Sequence, residues 1–281
     1  MQFVGVAGLP RAGSTLLCQL LAEHPDIHCE GHSSPLCHTL LNIRRVISDD
    51  PFFLAQLDTQ FDTTYGHLQT ALSGYLQGWY AGATKPVVVD KNRGWLQSIE
   101  FLLQLQPDAK LLVPIRELGQ IYGSIEAQHQ KTILVDFIDH LADFDRMGRA
   151  DQLFAKTKAI GAPLAAIQGA QDLPESVRQR LFFVRFEDLM AKPVETMKSV
   201  YRFMGLSEYA IDPDHLRVRP GESDSHYRYK YRHKQQAQMR APHPHAIPDR
   251  IQKQIESVNA WYYKWFYPHM VGALPLPVNQ S

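Results

Sequence analysis

The sequence predicts an α/β fold in three layers, a mostly parallel central sheet flanked by helices, and three observations carry that expectation. Short apolar runs at residues 3–7, 86–90, 109–115 and 180–186 have strand length, and helix-period segments separate them. The first run passes through a Gly- and Pro-containing turn directly into Leu16, Leu17, Leu20 and Leu21 at helical spacing. Residues 86–115 read as strand, amphipathic helix and strand, a unit that closes with parallel strands and a right-handed crossover. At 281 residues and 44% hydrophobic content, one domain over 1–281 with insertions around a single core is expected.

Residues 33–82 carry helical periodicity broken near Asp49-Asp50-Pro51, where Pro51 suits the first turn of a helix. No strand is expected there, and the segment reads as a helical insert. A helix is expected at 95–105, and further helical patterns follow at 117–129, 132–147 and 149–160. Pro193 opens a helix that Gly205 ends. Residues 207–246 are polar and proline-rich, hence loop. The last helix is expected over 248–266, with Ile251, Ile255, Val258, Tyr262 and Trp265 as its apolar stripe.

Lys plus Arg balances Asp plus Glu, 29 against 29, so no global field draws the chain to nucleic acid or to an anionic membrane. Any anion site must be local. The first residues read as a strand rather than a leader, and no apolar run approaches the ~18 residues of a membrane span. A cytoplasmic protein is therefore expected. Cys18, Cys29 and Cys37 are an odd set without metal spacing, which predicts reduced, buried thiols. The 13 histidines include no H-E-x-x-H pair, His243-Pro244-His245 sits in a proline-broken loop, and no metal is expected.

Residues 8–15, Gly-Leu-Pro-Arg-Ala-Gly-Ser-Thr, join the first strand to the first helix, so amides from Gly13 onward converge on an anion at a helix N-terminus. The glycine spacing is that of a P-loop, yet Ser14 stands where a Walker loop has lysine. Arg11 is the cation the loop itself supplies. Arg116 ends the apolar run at 109–115, at the carboxyl edge where open α/β sheets bind ligands, and Ser124 follows about two turns into the next helix.

Residues 8–16 match the pattern G-x-P-[RK]-[SA]-G-[ST]-[ST]-L, and at this point the chain resembles the PAPS-dependent sulfotransferases, nearest in motifs to bacterial and tyrosylprotein-type members. PAPS is 3'-phosphoadenylyl sulfate. The resemblance implies that Arg11, Ala12, Gly13, Ser14 and Thr15 bind the 5'-phosphosulfate end of this co-substrate, and that Arg116 and Ser124 bind its 3'-phosphate. Glu117-Leu118 departs from the family's usual R-D-P. Val184-Arg185-Phe186-Glu187-Asp188-Leu189 resembles a further family segment and reads as scaffold, with Glu187 and Asp188 as helix-start acids. Val89-Asp90-Lys91-Asn92 resembles the D-K-x-P segment, with Arg93 in place of proline, and implies that Lys91 stabilises the transferring group. The competing reading makes Asp90 a magnesium ligand of a P-loop kinase or NTPase.

Sulfuryl transfer needs a base for the acceptor proton. Residues 24–32, His-Pro-Asp-Ile-His-Cys-Glu-Gly-His, resemble the tyrosylprotein sulfotransferase segment that carries the base. In ungapped register the base position falls on His32, and a shift of two presents Glu30. Residues 217–234 concentrate arginines and tyrosines and read either as a lid over the nucleotide or as a solvated loop. The expected activity is transfer of a sulfuryl group from PAPS to an acceptor hydroxyl, releasing 3'-phosphoadenosine 5'-phosphate (PAP). A non-catalytic PAP-binding protein is the remaining alternative.

Overall fold

The computed structural model describes residues 1–136, 140–219 and 235–270. Five parallel strands form one sheet in the order β2-β3-β1-β4-β5. β1 is Gln2–Val6, β2 Ile27–Ser33, β3 Val87–Lys91, β4 Lys110–Ile115 and β5 Leu181–Arg185. The central three strands are rich in Val, Leu and Ile because helices cover both faces, leaving no side that alternates with water.

β2 was not expected from the sequence. It is an edge strand with Ile27, Cys29 and Gly31 buried and His28, Glu30 and His32 less so, a short alternation that carries no apolar run. Its register against β3 shifts between Cys29 and Ser33, and Ser33 ends opposite Lys91.

The helices are α1 Ser14–Leu21, α2 Leu36–Ser48, α3 Pro51–Trp79, α4 Gly94–Gln97, α5 Ile99–Leu105 and α6 Leu118–Lys131. They continue with α7 Arg146–Phe154, α8 Gly161–Gly169, α9 Glu175–Arg178, α10 Phe186–Ala191, α11 Pro193–Met204, α12 Asp249–Val258 and α13 Ala260–Phe266. Asp50 caps α3 by accepting from the Phe53 amide at 2.8 Å, with Pro51 in the first turn, as the sequence predicts. Gly205 takes φ 80° at the end of α11.

Four helix expectations need correction. The segment 95–105 is two helices broken at Ser98. The pattern at 132–147 is not a helix in its described part: a 3-10 turn covers Leu141–Asp143, and Asp145 starts α7 by accepting from the Gly148 amide. The segment 149–160 ends its helix at Phe154, and α8 begins after it. The terminal helix breaks at Asn259, whose side chain donates to the Ile255 carbonyl.

Two cores flank the sheet. One packs Phe3, Val88, Leu111 and Val113 against α2 to α8, α12 and α13. The other packs Val4, Val6, Val89 and Leu112 against Leu17, Leu20 and Leu21 of α1 and Met197, Val200 and Met204 of α11. Each such side chain contributes about 1.5–3 kcal/mol on burial.

Asp90 is a polar fixture within the first core. It is 1% exposed, and its two carboxylate oxygens accept from Tyr80 Oη and Trp95 Nε1, each at 2.5 Å. Burial raises its pKa, against hydrogen bonds from Ser34, Tyr80 and Trp95 that lower it. Asp90→Ala leaves two buried donors unpaired and is expected to cost about 2–4 kcal/mol in urea unfolding, more than Tyr80→Phe. With its folded pKa above the unfolded value, Asp90 contributes less to stability as pH rises from the unfolded pKa through the folded one. Asp90→Asn is expected to flatten that part of the stability–pH curve.

Candidate functional site

The loop between β1 and α1 turns through two left-handed residues, Arg11 at φ 59° and Gly13 at φ 83°. Gly13 caps α1, and a Cβ there would lie 2.5 Å from Cδ2 of Phe186, so this position excludes a side chain twice over. No side chain caps the first amides of α1, and at such a helix start an anion gains both hydrogen bonds and the helix dipole.

Arg11 and the end of β4 are tied together across the sheet edge. Arg11 Nε donates to Ser124 Oγ at 2.9 Å, and Arg116 Nη1 donates to the Arg11 carbonyl at 3.0 Å. Arg116 also lies over the Phe186 ring, 4.6 Å from its centroid. Burial lowers the Arg116 pKa, and Glu187, Tyr267 and Glu117 act to raise it. The predicted residues Arg11, Arg116 and Ser124 therefore meet at one place.

A cavity of about 230 Å³ opens over this knot. Arg11, Arg93, Arg116 and Arg240 line it, with no carboxylate among the described lining residues. Gly13, Ser14 and Thr15 also line it, whereas the Ala12 methyl is buried in the core, leaving only its backbone to serve an anion. Arg93 and Arg240 were missed by sequence reasoning. Arg93 directly follows Lys91-Asn92 and had a local signal; Arg240 had none, because only tertiary folding brings residues 235–242 across the phosphate loop.

Neighbouring residues of β3 serve opposite faces of the sheet, as pleating requires. Lys91 is 5% exposed and its Nζ donates to Thr15 Oγ1 at 3.4 Å, on the α1 face. Asp90 points into the core on the other face, where Tyr80 and Trp95 occupy its carboxylate. The magnesium-ligand reading of Asp90 is thereby corrected: it cannot join Ser14 or Thr15 around one ion. Asn92 shapes the turn, donating to the Ser34 carbonyl and accepting from the Gly94 amide.

The two base candidates stand side by side on β2. His32 Nε2 lies 3.2 Å from Glu30 Oε2, and His28 Nε2 lies 3.7 Å from Glu30 Oε1. Their side chains are 44% and 52% exposed for His32 and Glu30, at the same end of the sheet as Lys91. Neither lines the cavity over Arg11 and Arg116. Cys18, Cys29 and Cys37 are buried free thiols, and burial, with Asp90 nearby, pushes Cys37 up to about 12.

Arg185 is committed to scaffold, with Nε and Nη2 on the two Asp188 oxygens at 2.8 and 2.6 Å and Nη1 on the Phe266 carbonyl. Most of the expected lid at 217–234 lies outside the described residues. Its flanks are held together by Gln19 Nε2, which donates to the Arg217 and Gln236 carbonyls. The one group of potential metal ligands among the described residues, Asp136, His140 and Asp143, is exposed and does not line the cavity. No helix among the described residues is long and apolar enough to cross a membrane.

A family model described as the sulfotransferase family matches residues 4–212. The chain is similar to protein-tyrosine sulfotransferase 2 of Gallus gallus, 25% identical over 225 residues, covering 79% of this chain and 56% of that protein. It is also similar to nodulation protein NoeE of Sinorhizobium fredii, 25% identical over 217 residues, covering 70% and 48%. The chain thus spans about half the length of the curated relatives it matches. Sulfotransferase STF9 from Mycobacterium avium aligns over 93% of this chain and 76% of its own, at 17% identity and a TM-score of 0.45.

The phosphate loop yields a test of its own geometry. Gly13→Ala is expected to cost about 1–3 kcal/mol of stability from positive φ and the Phe186 overlap together. In a Phe186→Ala background the same change should cost less, because only the φ strain remains. Equal costs in the two backgrounds, by urea unfolding, would contradict the overlap.

Proposed function

The chain belongs to the sulfotransferase family, its match running over residues 4–212, and from that premise we propose that it transfers a sulfuryl group from PAPS to an acceptor hydroxyl, releasing PAP. The observation that carries the proposal is the tie of Arg11 to Ser124 and of Arg116 to Arg11, which gathers two arginines and a serine at the start of α1. The cavity fits a polyanionic nucleotide: four arginines face it without a lining carboxylate, and a glycine at its wall leaves the helix amides open.

In this reading Arg116 and Ser124 hold the 3'-phosphate, and Arg11, the backbone from Ala12 to Gly13, Ser14 and Thr15 hold the phosphosulfate end. PAPS when bound supplies an activated sulfuryl group with PAP as the leaving group. Lys91, held beside Thr15, and Arg11 are the cations that offset charge on the transferring and leaving oxygens. His32 takes the acceptor proton at a ring nitrogen, with Glu30 beside Nε2 to orient and stabilise the imidazolium. Glu30 acting alone is the second choice of base.

The acceptor is proposed to be a hydroxyl compound, with no nucleic-acid partner. A cytoplasmic setting is proposed on the three buried free thiols, which suit a reducing compartment. The kinase or NTPase reading has no remaining support at Asp90, whose carboxylate is buried beneath Tyr80 and Trp95.

Isothermal titration calorimetry with PAP, ADP and ATP tests the nucleotide assignment. PAP is expected to bind without magnesium, and Arg116→Ala should weaken it by about tenfold or more. ATP binding that requires magnesium, with no binding of PAP, would overturn the proposal. Separately, His32→Ala should lower turnover by about 10²–10⁴-fold in a PAP-release assay over a panel of hydroxyl acceptors while leaving PAP affinity within about twofold. Unchanged turnover would remove His32 from catalysis and favour Glu30.

A further inference from the structure

His245 lies in the proline-broken segment that follows the cavity-lining residues 235–242, and the structure fixes it against α6. Its amide donates to Gln120 Oε1 at 2.8 Å, and Gln120 Nε2 donates back to its carbonyl at 3.1 Å. One turn further along, its side chain rests on Gly123, where a Cβ would come within 2.5 Å of His245 Cβ and 3.1 Å of Cγ. Only glycine permits that approach.

Gln120, Gly123 and Ser124 share one face of α6 by their spacing. Ser124 is the residue that Arg11 binds, and Arg11 in turn receives Arg116. The side chain of His245 is thus held on Gly123, the neighbour of Ser124, by a double clamp on its backbone and a glycine seat, next in the chain to the segment 235–242 that lines the cavity and outside that lining itself.

Among the described residues, the charged groups that bear on this imidazole are cationic. After burial, which lowers its pKa most, Arg116 at the end of β4, Arg11 in the phosphate loop and Lys131 in α6 lower it further. The nearest acids of the same helix are engaged elsewhere, Glu117 by Tyr263 and Gln252 and Glu126 by Arg149. We propose that His245 is an additional ligand of the nucleotide's 3'-phosphate, beside Arg116 and Ser124, and that it takes up a proton from solvent as that phosphate binds.

The sign follows from linkage. In the free protein the imidazole sits below its ordinary ~6.5 and is mostly neutral near pH 7. A phosphate dianion offsets the arginine field and favours the imidazolium, so binding consumes a proton and tightens as pH falls from about 8 toward 6.5. This inference rests on the sulfotransferase reading, because it needs a ligand with a 3'-phosphate.

The test is calorimetry of PAP and of AMP, which lacks the 3'-phosphate, in two buffers of different ionisation heat near pH 7. Wild-type protein is expected to take up a fraction of a proton more than His245→Gln with PAP, and no more than the variant with AMP. His245→Gln should weaken PAP about fivefold near pH 6.5 and less near pH 8. In ¹⁵N-histidine-labelled wild-type protein, the His245 ring signals should move toward imidazolium on adding PAP, a readout independent of the variant's folding. Equal proton uptake by wild type and variant, or ring signals that stay neutral, would overturn the inference while PAP binding that depends on Arg116 leaves the parent reading intact. Failure of wild-type protein to bind PAP would overturn both.

Discussion

One carboxylate, that of Glu117, joins the parts of the molecule that hold the site. It caps α6 by accepting from the Gly119 and Gln120 amides, and it also accepts from Tyr263 Oη at 2.6 Å and Gln252 Nε2 at 3.1 Å. Burial, with Glu117 next, pushes the Tyr263 hydroxyl pKa up, so it stays protonated and donates. Tyr262 secures the preceding residue by donating to the Arg116 carbonyl, and the Glu117 amide donates to Glu187. Arg116 therefore leaves β4 in a fixed direction. A glutamate where the family usually has aspartate is consistent with a longer reach to the terminal helices.

The parallel sheet decides where charge can collect. Every strand ends at the same edge, so Arg11, Lys91 and Arg116, distant in sequence, arrive together. A chain with 29 basic and 29 acidic residues thus builds a cavity lined by four arginines and no described carboxylate. Local concentration of this kind raises affinity for a multiply charged nucleotide without a global field that would recruit nonspecific anions. It also costs the arginines mutual repulsion, which hydrogen bonds to Ser124 and the Arg11 carbonyl and the Phe186 face offset in part.

β3 separates structural from chemical duties between adjacent residues. Asp90 turns inward to bind Tyr80 and Trp95, joining the end of α3 to α4, while Lys91 turns toward Thr15. An acid next to a lysine at a strand end reads in one dimension as a metal site or as a cationic site. Pleating gives them different faces, and burial on one face settles which group is consumed by the scaffold.

The layered fold, the turn at 8–15 between the first strand and helix, the break at Asp49-Asp50-Pro51 and the helix from Pro193 to Gly205 were all legible in one dimension, because each rests on local patterning or on backbone preferences of Gly and Pro. Arg116 and Ser124 were marked by the resemblance to sulfotransferases, whose spacing of an arginine at a strand end and a serine eight positions later they share. That residues 27–33 form a strand emerges from pairing with β3, since an edge strand with polar alternate positions has no apolar run to announce it. The pairing of Glu30 with His32, the entry of Arg93 and Arg240 into the cavity and the seating of His245 on Gly123 were likewise decided by the tertiary structure. Such contacts depend on where distant segments cross, and no local propensity encodes a distance across the sheet edge.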